Sequence, residues 1–179
     1  MPAPACSSRS RSSAVARRRR STNPSRSISA THRQPSEEDM EKPRIGFVGI
    51  GLMGHGIAKN LVSKGYPLTL RVHRNREAAR DLLALGAKEV ATNAEVARAS
   101  DIVFLCVTGA PQVEEVVFGP EGLASAARPG MTIVDTSTSE LGTTTRMRDA
   151  LAAKQVRFID APLARTPVEA EAGRLNIMV

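Results

Sequence analysis

Three glycines, Gly49, Gly51 and Gly54, stand at the spacing Gly-x-Gly-x-x-Gly inside the stretch Arg44 to Leu61. Ile45 to Val48 before them is a short apolar run with β-branched residues. After them, apolar residues return at Leu52, Met53, Ile57, Ala58, Leu61 and Val62, which is helical spacing. Strand, glycine turn and helix in that order are the context that gives the spacing a meaning. There the first glycine allows the tight turn, the second lets the backbone approach a pyrophosphate, and the third lets helix and strand pack closely. The first N–H groups of the helix are unpaired and lie at its positive dipole end, so an anion is stabilised there. The chemistry predicted is dinucleotide binding, with Gly49, Ile50, Gly51, Leu52, Met53 and Gly54 as the phosphate cradle. The plainer alternative is a tight turn with no ligand.

A second group decides which dinucleotide. Leu68 to His73 reads as the next strand, followed by Arg74-Asn75-Arg76 and a helix over Glu77 to Leu85. A NAD site ends this strand in an acid that accepts from the ribose hydroxyls, whereas a NADP site places arginine near the 2′-phosphate. No acid stands here. His73, Arg74 and Arg76 do, and guanidinium groups attract the phosphate that a carboxylate would repel. NADP is the expected cofactor, with NAD possible; the alternative is a solvated basic turn.

The rest of the chain supplies elements to hold these groups. A short strand around Lys88 to Val90 and a helix near Thr92 to Arg98 lead to Asp101 to Val107. That run reads as a central strand covered on both faces. Thr108 to Pro111 form the loop at its carboxyl end, where open α/β sheets bind ligands, and a helix over Val113 to Val117 follows. Met131 to Asp135 is another strand, running into Thr136-Ser137-Thr138-Ser139, which suits hydrogen bonding to a ligand or an N-cap at Thr138 or Ser139. Val156 to Ile159 leads into Asp160-Ala161-Pro162, a helical turn is expected over Glu169 to Ala172, and Arg174 to Val179 reads as a last strand. The fold expected over residues 41–179 is an α/β, Rossmann-type, doubly wound and mostly parallel sheet.

Aromatic residues make up only 3% of the chain, so Val, Ile, Leu and Ala must build the core. No apolar run approaches the length of a membrane span. Cys6 and Cys106 offer neither a disulfide framework nor metal spacing, and Cys106 reads as a small buried residue. The net charge is +7, but residues 1–40 hold eight arginines against Glu37, Glu38 and Asp39, so five of those charges belong to this segment. The remainder is nearly neutral, which argues against a nucleic-acid partner for the folded part. Residues 1–40 are expected to be a disordered Arg/Ser-rich tail. An acid-poor leader of this kind suits an organelle transit peptide, and Arg17 to Arg20 suits a nuclear or nucleic-acid patch. A third reading starts the mature protein at Met40. The expected location is cytoplasmic, or an organelle if the leader is a transit peptide.

In four ordered stretches the chain resembles the β-hydroxyacid dehydrogenases, which include 3-hydroxyisobutyrate dehydrogenase and tartronate semialdehyde reductase. These are Gly46 to Gly54 with Asn60-Leu61, then Arg74-Asn75, then Asp135-Thr136-Ser137-Thr138, then Asp160-Ala161-Pro162 with Gly173 to Val179. The resemblance implies that Gly49 to Gly54 hold the pyrophosphate and that Val107 and Thr108 lie beside the adenine-side ribose and the nicotinamide half. It also implies that Thr138 approaches the nicotinamide, and its Arg74-Asn75 match joins His73 among the residues expected to bind the cofactor. The family places Ser-Gly-Gly after a hydrophobic residue to grip the substrate carboxylate. This chain has Ala164-Arg165-Thr166, similar to the sulfolactaldehyde reductase-like variant. An arginine there would suit a sulfonate, carboxylate or phosphate head group.

The implied activity is hydride transfer between NADP and a small anionic 3-hydroxy acid or its semialdehyde. The implied partners are such a substrate and, for a full-length form, a second copy. The family's catalytic lysine lies on a long helix beyond this segment, and none of Lys42, Lys59, Lys64, Lys88 and Lys154 matches it. The chain is therefore expected to be a cofactor domain cut short, without the family's helical second domain, and inactive by itself. The alternatives are a non-catalytic dinucleotide-binding module of a larger protein and an incomplete gene product.

Overall fold

A computed structural model describes residues 41–73 and 76–179. The expected tail over residues 1–40 lies outside the described residues, as do Arg74 and Asn75. The chain runs β1 (Ile45–Val48), α1 (Leu52–Ser63), β2 (Leu68–Arg71), α2 (Glu77–Ala84), β3 (Lys88–Val90), α3 (Asn93–Ala99), β4 (Ile102–Leu105) and α4 (Ala110–Phe118). A 3₁₀ turn at Leu123–Ser125 precedes β5 (Thr132–Asp135), α5 (Leu141–Ala152), β6 (Arg157–Asp160), β7 (Leu163–Ala164), α6 (Pro167–Glu171) and β8 (Asn176–Ile177). The first six strands form one sheet in the order β3-β2-β1-β4-β5-β6, with every pairing parallel. Parallel neighbours need crossover connections, and the intervening helices supply them.

Alternation along the central strands shows that both faces are covered. In β4, Val103 and Leu105 enter a core with Val96, Val113, Val117, Met147 and Leu151 from α3, α4 and α5. Ile102 and Phe104 pack instead against a second core, where Phe47 meets Ala58 and Val62 of α1 and Ala79 and Leu82 of α2. The expected doubly wound, parallel fold is what the chain forms.

The register matters for the site. Arg71 is paired with Val48, Val48 with Leu105, Leu105 with Asp135, and Asp135 with Asp160. The carboxyl ends of five strands therefore finish level, and their loops open on one side. Strand order reverses between β1 and β4, which makes the space above those two strands the switch-point crevice where such sheets bind ligands. At the opposite edge the Arg44 guanidinium grips the Asp101 carboxylate at 2.6 and 3.1 Å and holds its pKa down to about 2.

Several boundaries differ from the sequence reading; β2 stops at Arg71 rather than His73, and α6 starts at Pro167 rather than Glu169. Helix α4 begins at Ala110 rather than Val113, because Pro111 is well suited to the first turn of a helix. The N-cap of α5 is Glu140, so neither Thr138 nor Ser139 serves as that cap. The last strand is only Asn176–Ile177 and pairs antiparallel with Leu163–Ala164 in a separate two-stranded sheet. Gly173, at φ +66°, turns the chain back after α6, and the Met178 N–H donates to the Pro162 carbonyl at 3.1 Å.

Candidate dinucleotide-binding site

A cleft of about 550 Å³ lies at the switch point, within the range of roughly 300–1,000 Å³ typical of small-molecule sites. Val48, Gly49, Ile50 and Gly51 form one wall, and Cys106, Val107 and Thr108 the facing one. Gly49 has φ +101°, and a Cβ there would lie 2.2 Å from the Cys106 carbonyl oxygen. Only glycine lets the turn pass this close to β4. A Cβ at Gly54 would lie 2.0 Å from the Gly49 oxygen, so the third glycine seats α1 against the turn.

Gly51 is different: a Cβ there meets no heavy atom within 4 Å. The space there is open, at the N-cap of α1, and Gly51 is part of the cleft lining. No side chain caps that helix, and its first backbone bond runs from the His55 N–H to Gly51. The N–H groups of Leu52, Met53 and Gly54 thus have no partner within the helix, and they sit where the helix dipole is positive. An uncapped helix start beside a space that one methyl would occupy fits a phosphate.

The other end of the cleft is lined by Arg71, His73, Asn93, Gln112, Glu115, Val116 and Pro120. Arg71 is held by the Ala91 carbonyl at 3.2 Å and the Asn93 amide oxygen at 3.3 Å. Arg76 leans away and pairs with Glu89 at 3.3 Å. Of the residues singled out from the sequence, Gly49, Ile50, Gly51, His73, Val107 and Thr108 come together around the cleft. Leu52, Met53 and Gly54 lie on the first turn of α1 behind it.

Thr138 is exposed and does not line the cleft, although its carbonyl oxygen stands 4.0 Å from where a Gly109 Cβ would be. Ala164, Arg165 and Thr166 form the end of β7 and the entry to α6, apart from the cleft walls. Arg165 has φ +93°, a left-handed value that costs a non-glycine residue about 1–3 kcal/mol. The Thr166 hydroxyl donates to the Glu169 carboxylate, which also accepts from the Thr166 N–H at 3.2 Å. That hydroxyl is thus already engaged in opening α6.

Sequence reasoning missed Arg71, Asn93, Gln112 and Glu115. Gln112, Glu115 and Val116 share one helix face by their i, i+3, i+4 spacing, a signal that becomes visible once α4 starts at Ala110. Cys106, expected to be simply buried, lines the cleft half-buried, and burial pushes its thiol pKa up.

Beside the cradle, α6 is bound tightly to α1. A Cβ at Gly56 would lie 2.5 Å from the Ala170 carbonyl carbon, so the helices meet backbone to backbone. The Asn60 amide donates to the carbonyls of Gly56, Ala170 and Glu171 at 2.8–3.1 Å, closing the end of α6. His55 bridges three helices, with Nδ1 2.5 Å from Glu171 of α6 and Nε2 2.9 and 3.0 Å from the two Asp81 oxygens of α2. Lys59 reaches Glu171 at 3.2 Å.

Burial lowers the His55 pKa, but its hydrogen bonds to Asp81 and Glu171 outweigh that and raise it above the ordinary 6.5. Burial pulls Asp81 upward, and the bond to His55 more than reverses it; the same bond leads the lowering of Glu171. The His55 contribution is therefore complete below pH 6.5 and lost as pH rises through its folded value. The carboxylate contributions appear above their ordinary values and are lost in acid. His55→Ala is expected to lower stability by about 1 kcal/mol near pH 5.5–6, the half-exposed carboxylates limiting the effect. Thermal unfolding should show the gap between wild type and variant narrowing as pH rises above 6.5; a gap that does not change with pH would refute the clamp.

Residues 44–179 match the family described as the NAD binding domain of 6-phosphogluconate dehydrogenase. The chain belongs to that family. It is 40% identical over 136 residues to 2-hydroxy-3-oxopropionate reductase of Escherichia coli, covering 76% of this chain and 46% of that protein. It is 35% identical over 135 residues to the human cytokine-like nuclear factor N-PAC, covering 75% of this chain and 24% of that one. Among solved structures, 3-hydroxyisobutyrate dehydrogenase from Salmonella typhimurium superposes with a TM-score of 0.71 at 30% identity, over 76% of this chain and 47% of the other. The chain thus spans under half the length of the dehydrogenase and reductase relatives it matches. Among the described residues, no helix is long and apolar enough to cross a membrane.

Proposed function

We propose that residues 41–179 are the NADP-binding domain of a β-hydroxyacid dehydrogenase that moves a hydride between NADP and a small anionic 3-hydroxy acid or its semialdehyde. The observation that carries this reading is the open, uncapped start of α1 at Gly51, a residue that lines the switch-point cleft. The cofactor supplies the hydride chemistry, and the protein supplies binding and orientation. In this reading Gly49 to Gly54 hold the pyrophosphate, and the Arg71, His73 and Asn93 end takes the adenosine half. Val107, Thr108 and Thr138 border the nicotinamide half. Ala164, Arg165 and Thr166 take the anionic end of the substrate, and the strained backbone at Arg165 supports a role there, because such strain clusters at functional sites.

Preference for NADP rests on the absence of an acid at the end of β2 and on the basic residues His73 and Arg74 in its place. Arg74→Ala should weaken NADPH and leave NADH little changed. A charge-assisted hydrogen bond of this kind is worth roughly 1.5–3 kcal/mol. Fluorescence titration of the full chain with each cofactor measures it, and equal dissociation constants for NAD(H) and NADP(H) in the wild type would rule the preference out. A cytoplasmic location and, for a longer form, a homo-oligomer belong to the same proposal.

The second reading is a dinucleotide-binding module without catalysis. It is favoured by the likeness to a nuclear factor, and by a cleft lined with no lysine among the described residues.

A further inference from the structure

Asp135 ends β5 with no exposed surface, yet it is a carboxylate, and among the described residues no cation pairs with it. Burying such a group unpaired is costly unless hydrogen bonds satisfy it. Two do. Its Oδ1 accepts from the Ser137 N–H at 2.9 Å and its Oδ2 from the Ser139 hydroxyl at 2.9 Å. The loop after β5 is therefore folded around this side chain. The Ser137 hydroxyl oxygen in turn accepts from the Val107 N–H at 3.0 Å, reaching across to the loop after β4. Thr136 fixes the same junction from below, both its N–H and its hydroxyl donating to the Leu105 carbonyl, at 2.8 and 2.6 Å.

We infer that Asp135 is a positioning residue. Through Ser137 it sets the Val107 amide, and through Ser137 and Ser139 the approach of Thr138, so that both loops hold the nicotinamide half of the dinucleotide in register with the phosphate cradle. The inference rests on the cofactor reading above. A buried carboxylate does this better than a hydroxyl because its two oxygens accept from both ends of the same short loop. The adenosine end of the cleft, at Arg71, His73 and Asn93, has no link to this network among the described hydrogen bonds. The two halves of the ligand should therefore respond differently when the network is cut.

The test compares NADPH with adenosine 2′,5′-bisphosphate, which carries the adenosine end and lacks the nicotinamide half. Each is titrated into the full 179-residue chain and its variants. Asp135→Ala and Ser137→Ala should each weaken NADPH about tenfold while changing the bisphosphate less than about threefold. Asp135→Asn should recover most of the loss, because its amide oxygen can accept from Ser137 and its amide nitrogen can donate to the Ser139 hydroxyl. Thermal unfolding accompanies each titration; if Asp135→Ala does not fold, Ser137→Ala and Asp135→Asn carry the comparison. Parallel losses for both ligands, or no change in NADPH affinity in Ser137→Ala, would overturn the positioning role. So would an Asp135→Asn variant as impaired as Ser137→Ala or worse. A wild-type chain that binds neither ligand would instead overturn the cofactor reading and this inference with it.

Discussion

Alanine at Gly51 is expected to leave the fold standing and to weaken dinucleotide binding sharply, whereas alanine at Gly49 or Gly54 should damage the fold itself. At Gly49 the added Cβ meets the Cys106 carbonyl at 2.2 Å, and φ is +101°. Backbone strain of about 1–3 kcal/mol and overpacking of a similar size add to roughly 2–6 kcal/mol. Domains of this kind have only about 5–15 kcal/mol to lose. At Gly54 the Cβ meets the Gly49 oxygen at 2.0 Å, and neither backbone can retreat without moving β1 or α1. At Gly51 there is no neighbour within 4 Å, and φ −83°, ψ −159° suits any residue. The change at that N-cap should cost under about 1 kcal/mol. In the cofactor reading, however, its methyl group would crowd the phosphate away from the α1 amides, and each charge-assisted hydrogen bond lost there is worth roughly 1.5–3 kcal/mol, about 10- to 100-fold in affinity. Thermal unfolding and NADPH titration of the three variants measure both effects. Gly51→Ala that binds NADPH like the wild type would remove the cradle from the cofactor reading.

The second large effect concerns turnover. The 179-residue polypeptide is expected to bind NADPH and yet not oxidise it above background in the presence of small anionic aldehydes. The ionisable groups lining the cleft are Arg71, His73, Cys106 and Glu115, and His73 lies toward the adenosine end. Of the lysines, Lys59 is committed to Glu171, and Lys42 donates to the Lys64 carbonyl. No lysine lines the cleft among the described residues. A positioned proton donor typically contributes about 10²–10⁴-fold, so without one any turnover should be slower by that factor. Stopped-time absorbance at saturating NADPH decides this. Saturable oxidation would show that another group supplies the proton, and His73→Ala would then be the first variant to measure.

Much of the site was legible because its signals are local. Gly49, Gly51 and Gly54 lie within six consecutive residues, and the strand before them and the helix after them can be read from hydrophobic spacing alone. Thr108 was legible for a similar reason, because it follows an apolar run whose carboxyl end must open toward a ligand, whereas Val107 was named by the family resemblance. What escaped depends on distant parts of the chain meeting. Asn93 and Glu115 reach the cleft only because β2 and β4 flank β1, an order that no local pattern announces. His55 reads as one more residue on a helix, and its partners lie 26 and 116 positions away. The left-handed backbone at Arg165 was hidden for another reason, since arginine ordinarily signals no such conformation.

The backbone contact between α1 and α6 makes the front of this domain a caliper with a fixed jaw setting. One jaw is the phosphate cradle at the start of α1, and the other is the segment Ala164 to Thr166 that leads into α6. Gly56, Asn60 and the His55 bridge leave the two helices no room to slide. If Arg165 takes the anionic end of the substrate, its distance from the reacting carbon is then decided by helix packing rather than by loop motion. Selection among substrates would follow the length of the carbon chain between the carbonyl and the charge. Lengthening that chain by one carbon should be felt more sharply than exchanging one anionic head group for another.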